Sequence, residues 1–149
     1  MDSPLTDWEK DVTESPSRWV AEHVQRYVAS DGQSGHQWSG VNTLLLTTRG
    51  RKTGKLRRTA LIYGRDGDRF LVVGSKGGSH KHPAWFLNLR DHPEVHVQIG
   101  ADKFVAKALT AVGKERSRLW GQMAAIWPEY EQYQKRTSRE IPVVLLERI

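Results

Sequence analysis

Several strand-like segments of this chain are joined by turns too short to carry a helical crossover, and so few crossovers point to antiparallel sheet. Leu56 to Tyr63 and Arg69 to Ser75 flank Arg65-Asp66-Gly67-Asp68, a hairpin signal. Glu94 to Ile99 alternates, with Val95, Val97 and Ile99 on one face and His96 and Gln98 on the other. Gly100-Ala101-Asp102 then turns the chain into another strand reaching about Val112. Parallel neighbours would need connections of roughly a dozen residues or more, which the turns at 65–68 and 100–102 do not provide.

Val41 to Thr48 reads as the first strand and Ile141 to Glu147 as the last. Helical patterns occupy Pro16 to Ser30, Pro83 to Asp91, Lys114 to Trp127 and Pro128 to Lys135. In the first, Val20, Val24, Tyr27 and Val28 share a face; in the third, Leu119, Met123 and Ile126 point inward. Gly32 to Gly40 reads as a linker, and the polar, acidic residues 1–15 are expected to be poorly ordered. The order α-βββ-α-ββ-αα-β predicts an α+β domain: a barrel or strongly curved sheet with helices packed around it.

The 149 residues fit one domain, and the net charge of +6 predicts an anionic partner. With no cysteine, disulfides, thiolate metal sites and cysteine nucleophiles are excluded. Met1 to Asp7 shows no basic stretch leading into an apolar one, and runs such as Val143 to Leu146 are too short to span a bilayer. The expectation is a soluble, cytoplasmic protein. A second reading of the first helix makes it an interfacial anchor, with Trp19 and Tyr27 at a membrane surface.

The positive charge is clustered. Between Arg49 and Arg58 six of ten residues are basic, and Gly50, Thr53 and Gly54 stand among them. Such a loop fits a phosphate or several carboxylates, through exposed backbone N–H groups and guanidinium forks. It is not a P-loop, because the glycine spacing is one residue short and Leu56 follows Lys55. The plain alternative is a solvated hairpin loop. Gly74-Ser75-Lys76-Gly77-Gly78-Ser79 is a second glycine-basic loop after a strand. In Pro83 to Leu89, Trp85, Asn88 and Leu89 lie about one turn apart, and the Asn88 amide is suited to reading a heterocycle edge. Trp127, Tyr130 and Tyr133 make either core or an aromatic lid. His80 with His82, and His92 with His96, lack the partners and spacing of a metal site, and no nucleophile elbow is present.

Taken in order, these segments resemble the deazaflavin-dependent nitroreductase family of actinobacteria, which uses coenzyme F-420 on a split β-barrel. The resemblance rests on residues 45–54, Ser75-Lys76-Gly77-Gly78, residues 83–89 and His92-Pro93 with residues 95–99. Trp127-Pro128-Glu129-Tyr130 through Tyr133 and Ile141-Pro142-Val143-Val144 complete it. It implies an FMN-binding-like antiparallel barrel over about 38–149, with 1–37 an N-terminal segment bearing an amphipathic helix. It implies that Arg51, Lys52, Thr53 and Gly54 hold the cofactor phosphate, assisted by Lys55 and Arg57. Ser75, Lys76, Gly77 and Gly78 would line the deazaflavin near Trp85 and Asn88. The chemistry implied is hydride transfer to a small-molecule acceptor such as a quinone, enone or nitroaromatic. Ser75 would donate to an acceptor oxygen, and Tyr130 or Tyr133 would close the pocket. Trp127 and Ile62 replace tyrosines of the nitro-activating relatives, which directs the expectation toward quinones and enones. The alternatives are an FMN- or haem-binding split barrel, a non-catalytic cofactor carrier and a basic nucleic-acid-binding module. Monomer and homodimer both fit the barrel.

Overall fold

The computed structural model describes residues 7–149; the reading of the extreme N-terminus as free of a targeting signal falls largely on residues 1–6, outside them. The strands are β1 Gln37–Trp38, β2 Val41–Arg49, β3 Leu56–Ile62, β4 Gly64–Asp66, β5 Arg69–Val73, β6 Glu94–Ile99, β7 Asp102–Thr110 and β8 Val143–Arg148. The helices among the described residues are α1 Arg18–Ser30, α2 Ala84–Asp91, α3 Gly113–Ile126 and α4 Glu129–Lys135. The expected linker over Gly32 to Gly40 instead contains β1, which pairs with the start of β2.

All named strands pair antiparallel, in the order β1-β2-β6-β7-β8-β5-β4, with β3 also on β2. Leu46 lies opposite Thr59 on one side and Val97 on the other, so β2 is a central strand. Its run Leu44-Leu45-Leu46 is fully apolar because both faces are covered. Leu44 and Leu46 join Val72, Val95, Val97, Val144, Phe86 and Leu89 in the main core. Leu45 instead meets Val24 and Tyr27 of α1. β8 repeats the pattern: Val144 and Leu146 enter the main core, while Val143 and Leu145 pack with Leu119, Met123 and Tyr130 of α3 and α4. Each such side chain contributes about 1.5–3 kcal/mol by leaving water. The sheet curls without closing, giving a split β-barrel with flanking helices: β3 and the end of β5 border one cleft without pairing.

Three further expectations are corrected. Leu56 to Tyr63 and Arg69 to Ser75 do not form the expected hairpin: the Gly67-Asp68 turn joins β5 to the short β4, while β3 peels away to pair with β2. Residues 7–15 are not a loose tail. Trp8 is buried against His96, with ring centroids 6.3 Å apart, and the Arg49 guanidinium lies 5.2 Å from the Trp8 ring. Glu9 pairs with Lys103 at 2.7 Å, and the Thr13 N–H donates to the Leu56 carbonyl at 2.7 Å. The strap covers the polar face of β6, so His96 is buried despite the strand's alternation. The membrane-anchor reading of α1 loses one of its two aromatics. Tyr27 is fully buried, its hydroxyl donating to the Thr43 carbonyl at 3.0 Å and accepting the Gly100 N–H at 2.8 Å. No helix among the described residues is long and apolar enough to cross a membrane.

Candidate active site

A cleft of about 410 Å³ opens where the barrel fails to close. Its floor is Thr59 to Ile62 of β3, and Val73, Ser75, Lys76 and Gly77 form the opposite wall. Apart from one bridge between Thr13 and Arg57, β3 pairs only with β2 among the described residues. Its outer edge therefore offers backbone donors and acceptors to whatever lies in the cleft. Trp85 and Pro83 line the cleft beside that edge.

At the far end stand aromatic rings from distant parts of the chain. Trp38 lies 5.7 Å from Trp19 and 5.5 Å from Trp127, and Tyr130 and Tyr133 complete the wall. Tyr130 is buried, and burial raises its phenol above the ordinary range, so it remains a protonated donor even well into alkaline pH. The Tyr133 hydroxyl donates to Glu129 at 3.1 Å. Core and lid, the two readings of these aromatics, coincide: Tyr130 packs in the core and lines the cleft. His23 lines the cleft too, with Nε2 donating to the Gly35 carbonyl at 2.8 Å.

The second glycine loop has an unusual backbone. Ser75 is right-handed helical, whereas Lys76, Gly77 and Gly78 have φ of 45°, 61° and 84°. A right-handed residue followed by a left-handed one turns successive N–H groups to one side, a nest for negative charge. The loop carbonyls are collected on the other side by Arg139, which donates to Gly74, Ser75 and Ser79 at 3.2, 2.8 and 2.8 Å. Arg139 also donates to His82 Nδ1 at 3.1 Å, and Arg136 donates to the Gly77 carbonyl at 3.3 Å. At Gly78 a Cβ would come 2.7 Å from the Tyr133 carbonyl oxygen, so only glycine lets the loop sit on α4.

A recess of about 240 Å³ continues the cleft past Thr59 and Trp85. Its walls include Arg57, Arg58, Thr48 and Asn88, with Thr13 to Pro16 of the strap across the opening. Burial lowers the Arg58 guanidinium's pKa, and its buried Nε has no partner among the described residues. Glu14 acts on Arg58 across the recess while its carboxylate accepts from Gln25 at 2.8 and 2.9 Å.

The first basic loop stands at this end. Arg51, Lys52, Thr53, Gly54 and Lys55 are exposed and line neither cavity; Arg57 lines the recess. The loop does not offer the row of bare N–H groups its glycines lead one to expect. The Gly50 and Gly54 N–H groups bond to the Lys55 and Gly50 carbonyls at 2.7 and 2.8 Å, and the Lys55 N–H bonds to the Thr53 hydroxyl at 3.2 Å. Asn88 takes the Arg51 N–H on Oδ1 at 3.1 Å and donates to Thr48 at 3.2 Å. Its amide thus shapes the protein rather than standing free toward the cleft. Arg139, Arg58, Trp38 and His23 were not singled out individually. Only their place beside the cleft marks them, and no spacing in the sequence carries that information.

These cavities form a continuous site with an apolar aromatic end, a donor-rich middle and a cationic end. The sequence profile of the family described as F420H(2)-dependent quinone reductase matches residues 19–148. A quinone reductase of that description from Mycobacterium tuberculosis is 39% identical over 145 residues, covering 89% of this chain and 97% of the relative. A solved F420-H2 dependent reductase, FDR-A, superposes with a TM-score of 0.66 at 37% identity, covering 70% of this chain and 93% of that one. A solved domain-swapped dimer superposes at 0.68 with 34% identity, over 89% of this chain and all (100%) of that one. This chain belongs to the F420H(2)-dependent quinone reductase family.

Proposed function

We propose that the cleft holds coenzyme F-420 with its deazaflavin ring on the β3 edge and its anionic arm toward the recess and basic loop. The observation that carries this reading is the gradient along one continuous cavity, from Trp38, Trp127 and Tyr130 to Arg57 and Arg58. A ring with an acidic side arm has the same polarity from end to end. The donor set fits: a β3 edge that beyond the Thr13–Arg57 bridge has no strand partner but β2 among the described residues, a left-handed loop with open space at the Gly77 Cβ, and a buried guanidinium nitrogen with no hydrogen-bond partner among those residues.

When bound, reduced coenzyme F-420 supplies hydride for two-electron reduction. The chain's own residues do the rest. Arg57 and Arg58 neutralise the arm inside the recess, while Arg51, Lys52 and Lys55, with Thr53 and Gly54 shaping their turn, attract its outer negative charges. Trp85 presses on the ring, and Asn88 holds Arg51 in place. Ser75, Lys76 and Gly77 present hydrogen-bond donors to the reacting end, and Gly78 closes the turn that shapes them. Trp19, Trp38, Trp127 and Tyr133 exclude water and stack on a flat acceptor. Tyr130, protonated and buried, is a donor to the acceptor's oxygen. A quinone suits this apolar wall; enones and nitroaromatics are further acceptors to be assayed. Residues 38–149 are then the cofactor-binding body, with the described part of 1–37, residues 7–37, its cover. Sedimentation distinguishes a monomer from a homodimer like the domain-swapped relative.

The test is a titration of the coenzyme followed by its fluorescence. Saturable quenching is expected, and Lys52→Ala weakens it by about 0.2–1 kcal/mol through loss of an exposed charge near the arm. A native protein indifferent to the coenzyme would refute this reading.

A further inference from the structure

Arg139 is half-buried and forms no ion pair with a carboxylate among the described residues. Its fork is spent on the Gly74, Ser75 and Ser79 carbonyls and on His82 Nδ1. Buried guanidinium groups ordinarily find an acid, because charge without a counter-charge is costly. Here carbonyl dipoles and the neutral acceptor nitrogen of His82 compensate it, and the carbonyls belong to the loop that lines the cleft. The same loop holds Lys76, a residue with a side chain, at a φ of 45°, a conformation that costs energy and persists only where surrounding contacts impose it.

We propose that Arg139 is a positioning residue: by holding the Gly74, Ser75 and Ser79 carbonyls, it aims the Ser75, Lys76 and Gly77 N–H groups at the acceptor oxygen that becomes negative during reduction. The inference rests on the F-420 reading of the cleft. Hydride leaves a carbon of the reduced coenzyme and forms a new bond in the acceptor's conjugated system. The displaced π pair moves onto the acceptor's carbonyl oxygen, and a proton from solvent later neutralises it. The positively charged fork polarises the Gly74–Ser75 and Ser75–Lys76 peptides through their carbonyls, so the Ser75 and Lys76 N–H groups become stronger donors as that oxygen gains charge, and the left-handed turn at Lys76 sets the Gly77 N–H beside them. Arg136, on the Gly77 carbonyl, supports the arrangement from the same side. Arg139 itself touches neither ring nor acceptor.

The experiment compares native protein with Arg139→Gln and Arg139→Lys. In unliganded protein, amide exchange at Gly78 and Ser79 reports the loop turn, because their N–H groups bond to the Ser75 and Lys76 carbonyls at 2.9 and 3.1 Å. Exchange should quicken at least tenfold in Arg139→Gln and less in Arg139→Lys. Turnover of a quinone should fall about 10- to 100-fold in Arg139→Gln, with coenzyme Kd and acceptor KM each moving less than threefold. Arg139→Lys should recover part of that loss. Should Arg139→Gln fail to fold, the native protein still decides. On adding a phenolate to the complex with oxidised coenzyme, the Ser75, Lys76 and Gly77 amide protons should shift downfield. Unmoved amide protons, or a loss confined to KM or Kd, would overturn the proposal. Failure of native protein to bind coenzyme would instead strike the underlying reading, while the exchange data would still report whether Arg139 builds the loop.

Discussion

Asn88 on α2 accepts the backbone N–H of Arg51 at 3.1 Å, so a helix side chain sets the first residue of the basic loop. Its other end donates to Thr48, which is fully buried at the end of β2. Asn88→Ala strands both groups and is expected to cost about 1–3 kcal/mol in urea unfolding. Asn88→Asp keeps the acceptor but adds negative charge beside Arg57 and Arg58. It should weaken coenzyme binding more than it lowers stability, a contrast that one fluorescence titration and one unfolding curve expose.

Neighbouring glycines separate two effects. Gly77→Ala meets nothing within 4 Å and bears only the strain of a φ of 61°, about 1–2 kcal/mol. Gly78→Ala adds a collision with the Tyr133 backbone, so about 2–4 kcal/mol is expected. Thermal melts that rank the two variants equally would contradict this account of the loop's seat on α4.

Burial beneath Trp8 lowers His96 from the ordinary 6.5 to about 4, and its Nε2 has no hydrogen-bond partner among the described residues. The unfolded chain therefore binds a proton in a range where the folded one does not. Stability is fully present above pH 6.5 and declines as pH falls to about 4, by about 3 kcal/mol from this group. Subtracting the pH–stability curve of His96→Phe from that of the native protein should leave this slope alone; a flat difference would show His96 to be hydrated.

Tyr130 and Tyr133 line one wall but differ in what their hydroxyls do. Tyr133 donates to Glu129, whereas burial keeps the Tyr130 phenol protonated beside the cleft. Tyr130→Phe is expected to reduce quinone turnover about 10- to 100-fold with coenzyme affinity nearly unchanged. Tyr133→Phe should have the smaller effect. Steady-state rates with both variants check the order.

Much of the site was legible because its residues are local in sequence. The two glycine loops, the Trp85 helix and the Tyr130 helix each announce themselves within about seven residues, as turn chemistry or periodic aromatics. The basic loop was misread in one respect. Its composition predicts bare N–H groups, yet carbonyl and hydroxyl partners inside the turn and Asn88, 37 positions away, take four of them. The strap was misread for a similar reason. A polar, acidic stretch looks loose until Trp8 finds the imidazole of His96.

What the sequence determined by itself was an antiparallel sheet of short strands, the β6–β7 hairpin and the clustered positive charge, because strand period, turn residues and charge runs act between near neighbours. What only the tertiary structure decided was where the barrel stays open, which aromatic rings meet there and that Arg139 grips a loop 60 to 65 positions away. Those contacts follow from how the curved sheet closes on itself. Chain segments that are far apart become neighbours only once the whole core is packed.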